Sequence, residues 1–128
     1  MTRINAGVLP QELPDKLLIA EHREVTRVVP LALKRKKLDD IPNEFTLGTG
    51  HVKFFYDKLS YIQRRYIYLY WECRRRDFDV TDKSSTFLSL YTRPDLYNPW
   101  KPTLEARRLI IRRIESKGFK LLELEPWI

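Results

Sequence analysis

Residues 50–76, GHVKFFYDKLSYIQRRYIYLYWECRRR, constrain the fold more than any other stretch. Val52, Phe55, Leu59, Ile62, Tyr66, Leu69 and Cys73 recur three and four apart, the spacing that gathers side chains on one face of a helix. Phe54, Tyr61, Ile67, Tyr68 and Tyr70 widen that face, and a helix apolar on most sides is surrounded by other elements. The stretch therefore reads as the central buried helix of an all-α fold. At 1.5 Å per residue it would span about 40 Å. Gln63, Arg64 and Arg65 interrupt it at mid-length, which is incompatible with a membrane span.

Two further helices flank it. The first starts near Pro14 and runs toward Lys37, with Leu18, Val25, Val29 and Leu33 on its buried face and a kink at Pro30. The last starts at Thr103, a capping residue, and stops before Gly118. Its inward residues are Leu104, Ile111 and Ile114, and Arg108, Arg112, Arg113 and Lys117 form a basic outer side. Residues 1–13 read as extended, and 77–102 as a long irregular connection with one short helix near Thr86 to Tyr91. The expectation is one compact domain over 1–128: three main helices joined by long irregular connections.

Composition narrows the function. Lys and Arg number 24 against 17 Asp and Glu, a formal net charge of +7, which favours a polyanionic partner such as DNA. A basic domain that binds an acidic protein surface fits the same charge. The single cysteine, Cys73, forbids an internal disulfide, and with only His22 and His51 no Cys/His metal site can be built. Asp77, Asp79 and Asp82 fail as a calcium loop because Leu88 stands where the closing glutamate belongs. No metal or cofactor is expected. No secretory segment opens the sequence, so a cytosolic monomer is expected.

Within the first helix, Ala20, Arg23, Glu24, Arg27 and Lys34 share one face. Arg23 and Arg27, one turn apart, could straddle a phosphate backbone. The simpler alternative is a solvated face on which Glu24 pairs with a neighbouring base. Lys34 opens a basic run with Arg35, Lys36 and Lys37 that would add phosphate contacts. Gly48-Thr49-Gly50 is a turn and cap, and His51 reads as structural. At the start, loss of Met1 would leave Thr2 with a free α-amine. Such an amine has a pKa of about 7.7–8.0 and is partly unprotonated at neutral pH.

Taken together, MTRIN, AEHREVTRV, LGTGHVKFFYDKL and the later RDFDVTD resemble the phage endonuclease V family of pyrimidine-dimer DNA glycosylases. The likeness covers roughly the first two-thirds of the chain, in the same order. It implies a compact all-α fold of three main helices, and a substrate of duplex DNA carrying a cyclobutane pyrimidine dimer. The implied activity is glycosylase cleavage followed by strand breakage through β-elimination, with no cofactor. The implied nucleophile is the α-amine of Thr2, and the implied catalytic carboxylate is Glu24. Arg3, Arg23 and Arg27 are implied DNA contacts, and Arg113 and Lys117 correspond more loosely to a basic pair in the last helix.

The sequence also departs from the family's best-known member. Leu17 stands where that protein has a histidine, Lys16 replaces a neutral amide, and His22 replaces a tyrosine. Of the aromatic C-terminal tail, Trp127 is the nearest counterpart. These differences bear on which lesion is read. The alternatives are a glycosylase for another base lesion and a catalytically silent DNA-binding protein on the same scaffold.

Overall fold

The computed structural model describes residues 2–35 and 38–124. All regular structure among them is helical. The described residues form four α-helices: α1 (Asp15–Val25), α2 (Val28–Leu33), α3 (Leu59–Arg75) and α4 (Leu104–Ser116). Four 3-10 segments, at Pro10–Glu12, Lys53–Phe55, Ser84–Thr92 and Pro94–Leu96, punctuate the connections. No helix of the described residues is long and apolar enough to cross a membrane.

The expected first helix is two helices. Pro30 has no N–H to donate to the Thr26 carbonyl, and its ring crowds that carbonyl. The chain breaks one turn before the proline, at Thr26 and Arg27. There Val29 N–H reaches the Thr26 carbonyl with a shorter-range bond of 3.3 Å. Pro30 itself is then tolerated inside the first turn of α2.

The central helix starts at Leu59, not at Gly50. Gly50 has φ +90° and Lys58 leaves helical geometry at φ −124°, ψ 41°. The intervening rings explain the interruption. Phe54 and Phe55 turn edge-on to each other at 5.2 Å, and both meet Trp100, with Phe45 stacked on that indole at 5.8 Å. A continuous helix would rotate one of these rings out of the cluster, and aromatic pairs of this geometry stabilise by about 0.5–1.5 kcal/mol beyond burial. From Leu59 onward Ile62, Tyr66, Leu69 and Cys73 are buried as the spacing demands. Burial pushes the Cys73 thiol up to about 11, leaving it a neutral packing group. The opposite side is not covered: Ile67, Tyr68 and Trp71 are exposed.

Both ends of α4 match its sequence signals. Thr103 Oγ1 accepts the Ala106 N–H at 3.0 Å, and Gly118 takes φ +86° with Phe119 N–H returning to the Ile114 carbonyl. Its faces differ from expectation. Leu104 is exposed and Ile110 is buried in its place, because the buried face runs through Ala106, Ile110 and Ile114, four residues apart, and Leu104 lies off that stripe. Arg113 is turned inward, for a reason that involves the N-terminal segment.

That segment is core, not tail. Ile4, Ala6, Val8 and Leu13 are fully buried. An extended chain brings unpaired backbone groups with it, and buried ones must find partners. Arginines from distant helices supply many of them. Arg65 Nη1 donates to the Val8 carbonyl at 2.5 Å, Arg107 Nη1 to Gly7 at 2.9 Å, and Arg76 Nη1 to Leu13 at 2.8 Å. Gly7 is required here. Its φ is +83°, and a Cβ would lie 2.9 Å from that of Arg107.

Candidate active-site cleft

The buried segment emerges at Thr2 and Arg3, both partly exposed, beside the last turn of α1. There the Arg3 backbone N–H donates to Glu24 Oε1 at 3.1 Å. Glu24 Oε2 lies 3.7 Å from Arg23 Nη2, and its side chain is only 14% exposed. The Thr2 α-nitrogen is one residue from the amide that Glu24 holds, joined to it through the three bonds N–Cα, Cα–C and C–N. A carboxylate, the backbone of Thr2 and Arg3 and a cluster of cations thus meet at one surface.

A narrow cleft opens at this point. Arg3, Glu24, Arg113 and Lys117 line it, with Leu17 and Phe119 as apolar wall. Arg113 faces it because Asn5 draws it in: Arg113 Nη2 donates to Asn5 Oδ1 at 3.1 Å. Burial, then the charge of Arg3, lowers the Arg113 pKa, while Glu21 and Glu24 raise it. The guanidinium remains charged, since its ordinary value is so high. The cleft therefore offers three cations around the carboxylate of Glu24, with the buried Glu21 also in its lining, an arrangement suited to an anionic backbone with a reacting centre over Glu24.

Beneath the cleft lies a pair that sequence reasoning missed. Glu21 and Arg65 are both buried and bonded through two parallel contacts, Nε to Oε2 at 2.8 Å and Nη2 to Oε1 at 2.9 Å. Glu21 Oε1 also accepts from Asn5 Nδ2 at 2.8 Å. Asn5 thus joins α1, α3 and α4 through Glu21 and Arg113. A sequence signal existed: Glu21 precedes Glu24 by three residues, which puts both acids on one face of α1. His51 is the other neighbour without an expected role at the site. Its Nε2 accepts the Ile4 N–H at 3.0 Å.

Several expected residues are not in the cleft. Arg23 and Arg27 are exposed at the end of α1 and just beyond it, flanking Glu24. Lys34 is exposed past α2 and does not line the cleft. His22 is buried against Tyr66 and Tyr70, and burial lowers its pKa. Met1, Lys36, Lys37 and Trp127 lie outside the described residues. Comparison with known proteins adds one finding: the family model described as pyrimidine dimer DNA glycosylase matches residues 1–86. The matched region contains Thr2, Arg3, Glu24 and His51 and ends before α4.

Proposed function

The chain belongs to the pyrimidine dimer DNA glycosylase family, and on that premise we propose that it acts through an imine on the α-amine of Thr2, with strand breakage as an AP lyase. The observation that carries this reading is the bond from the Arg3 amide to Glu24, in a cleft walled by cations. The substrate is then a pyrimidine dimer in duplex DNA.

Each residue has a role that its chemistry allows. With Met1 removed, the unprotonated amine of Thr2 attacks the anomeric carbon as the glycosidic bond breaks through an oxocarbenium-like state. The base leaves with the bonding electron pair and takes a proton, and opening of the sugar ring leaves an imine. Glu24 stabilises the cationic centre and moves protons during imine formation and β-elimination. Arg3, Arg113 and Lys117 hold phosphates over the cleft, and Arg23, Arg27 and Lys34 extend the phosphate contacts along the exposed side. Attack on the sugar requires the duplex to deform or extrude a nucleotide, which is easiest at a damaged site. The chemistry needs no metal.

Borohydride trapping tests the reading. Reduction of the intermediate on dimer-containing or abasic duplex should give a covalent protein–DNA adduct, and peptide mapping should locate it at Thr2. Glu24→Gln should retain DNA binding and lose most glycosylase activity. An adduct on a lysine, or full activity with the N-terminus blocked, overturns the nucleophile. Trapping on abasic DNA with no action on dimers would move the substrate to another lesion, as Leu17 in the cleft wall would suggest.

A further inference from the structure

LGTGHVKFFYDKL is the longest of the family-like stretches, yet it contributes no group to the proposed chemistry. The structure brings its histidine to the N-terminal segment. We propose that His51 is a positioning residue whose neutral ring fixes the backbone carrying the Thr2 amine, a role that rests on the Thr2 reading above.

Two successive amides are held by two different elements. Glu24 takes the Arg3 N–H, and His51 Nε2 takes the Ile4 N–H. One contact alone would leave the terminal residues free to pivot about it. The second fixes their direction, and the Asn5 side chain, held by Glu21 and Arg113, anchors the next residue. Nε2 must be an unprotonated acceptor to receive an N–H. The ring proton is therefore on Nδ1, which donates to the Thr46 carbonyl at 2.9 Å. That carbonyl belongs to the loop before the glycine turn, so the loop sets the tautomer. The ring is 3% exposed and wedged edge-on against Phe45 and Phe55. Without an acceptor at this point the buried Ile4 N–H would have no partner.

A protonated ring would present a second N–H to Ile4 and break the contact. The groups facing His51 are the Thr46 carbonyl from the loop, Arg113 from α4 and Glu21 from α1. Burial is the largest influence, and the net effect is a pKa below the usual histidine value. The neutral form thus prevails at neutral pH and fails in acid.

The test compares wild type, His51→Phe and His51→Gln in borohydride trapping on abasic duplex, with DNA affinity measured separately. Phe keeps the packing and removes the acceptor, whereas Gln restores an acceptor. A displaced nucleophile costs on the order of 10–100-fold, so His51→Phe should lower the trapping rate by about that factor with DNA affinity unchanged. His51→Gln should recover most of it. The ratio of wild-type to His51→Gln rates should also fall as pH drops below about 6.5, because titration of Thr2 and Glu24 cancels in that ratio. Equal trapping by wild type and His51→Phe, or a pH-independent ratio, overturns the positioning role while leaving Thr2 intact. If His51→Phe does not fold, the ratio decides alone. Absence of any wild-type adduct at Thr2 overturns the nucleophile, and the positioning role with it.

Discussion

Arg65 offers the sharpest test of how the N-terminal segment is held. Arg65→Met keeps an unbranched apolar stem and removes the guanidinium. Glu21, 2% exposed, would then keep only its bond from Asn5, and the Val8 carbonyl would lose the donor at 2.5 Å. Removing one partner of a buried ion pair costs about 3–5 kcal/mol, because the survivor stays charged and desolvated. Total stability of a domain is about 5–15 kcal/mol, so roughly a fifth or more should disappear. Urea unfolding at neutral pH would read this as a fall in midpoint at constant slope. The double variant Glu21→Gln with Arg65→Met should regain most of the loss, since it buries no orphaned charge and Gln still accepts from Asn5. The reasoning is refuted if Arg65→Met lies within about 1 kcal/mol of wild type, or if the double variant is less stable than the single one.

Three other outcomes follow from the structure. Gly7→Ala should lower the thermal midpoint clearly, because it adds a Cβ at 2.9 Å from that of Arg107 in a positive-φ conformation; a circular-dichroism melt checks it. Arg23→Ala and Arg27→Ala should each weaken DNA binding and reduce the log–log salt slope by about 0.9 for each phosphate no longer neutralised. The melting transition should stay intact, because both side chains are exposed. Acid should destabilise the fold through Glu12 and Glu72. Hydrogen bonds from Arg107 hold the Glu12 carboxyl below its ordinary value against the opposing effect of burial, and those from Arg75 do the same for Glu72. A depressed folded pKa contributes stability that is complete above the unfolded value of 4.5 and is lost as pH falls through the folded one. Denaturation midpoints should therefore fall below about pH 4.5, and Arg107→Met should diminish that dependence.

Local signals in the sequence determined much of this protein. Apolar periodicity identified the buried face of α3 from Leu59 to Cys73, and the Thr103 cap and Gly118 stop bounded α4. These features depend on contacts within a few residues, which spacing encodes directly. The approach of the Arg3 amide to Glu24 could be anticipated only through family likeness, since nothing local joins residues 21 apart. Tertiary structure alone decided the rest. It buried a segment that sequence shows only as extended, broke a helical pattern at Phe54 and Phe55 to seat an aromatic cluster, and turned Arg113 inward to meet Asn5. It also made Arg65, which reads in sequence as a polar interruption, the buried partner of Glu21. For the two arginines the physical reason is the same. A charged side chain is assigned to solvent by default, and only its three-dimensional neighbours supply the carboxylates and backbone carbonyls that let it be buried.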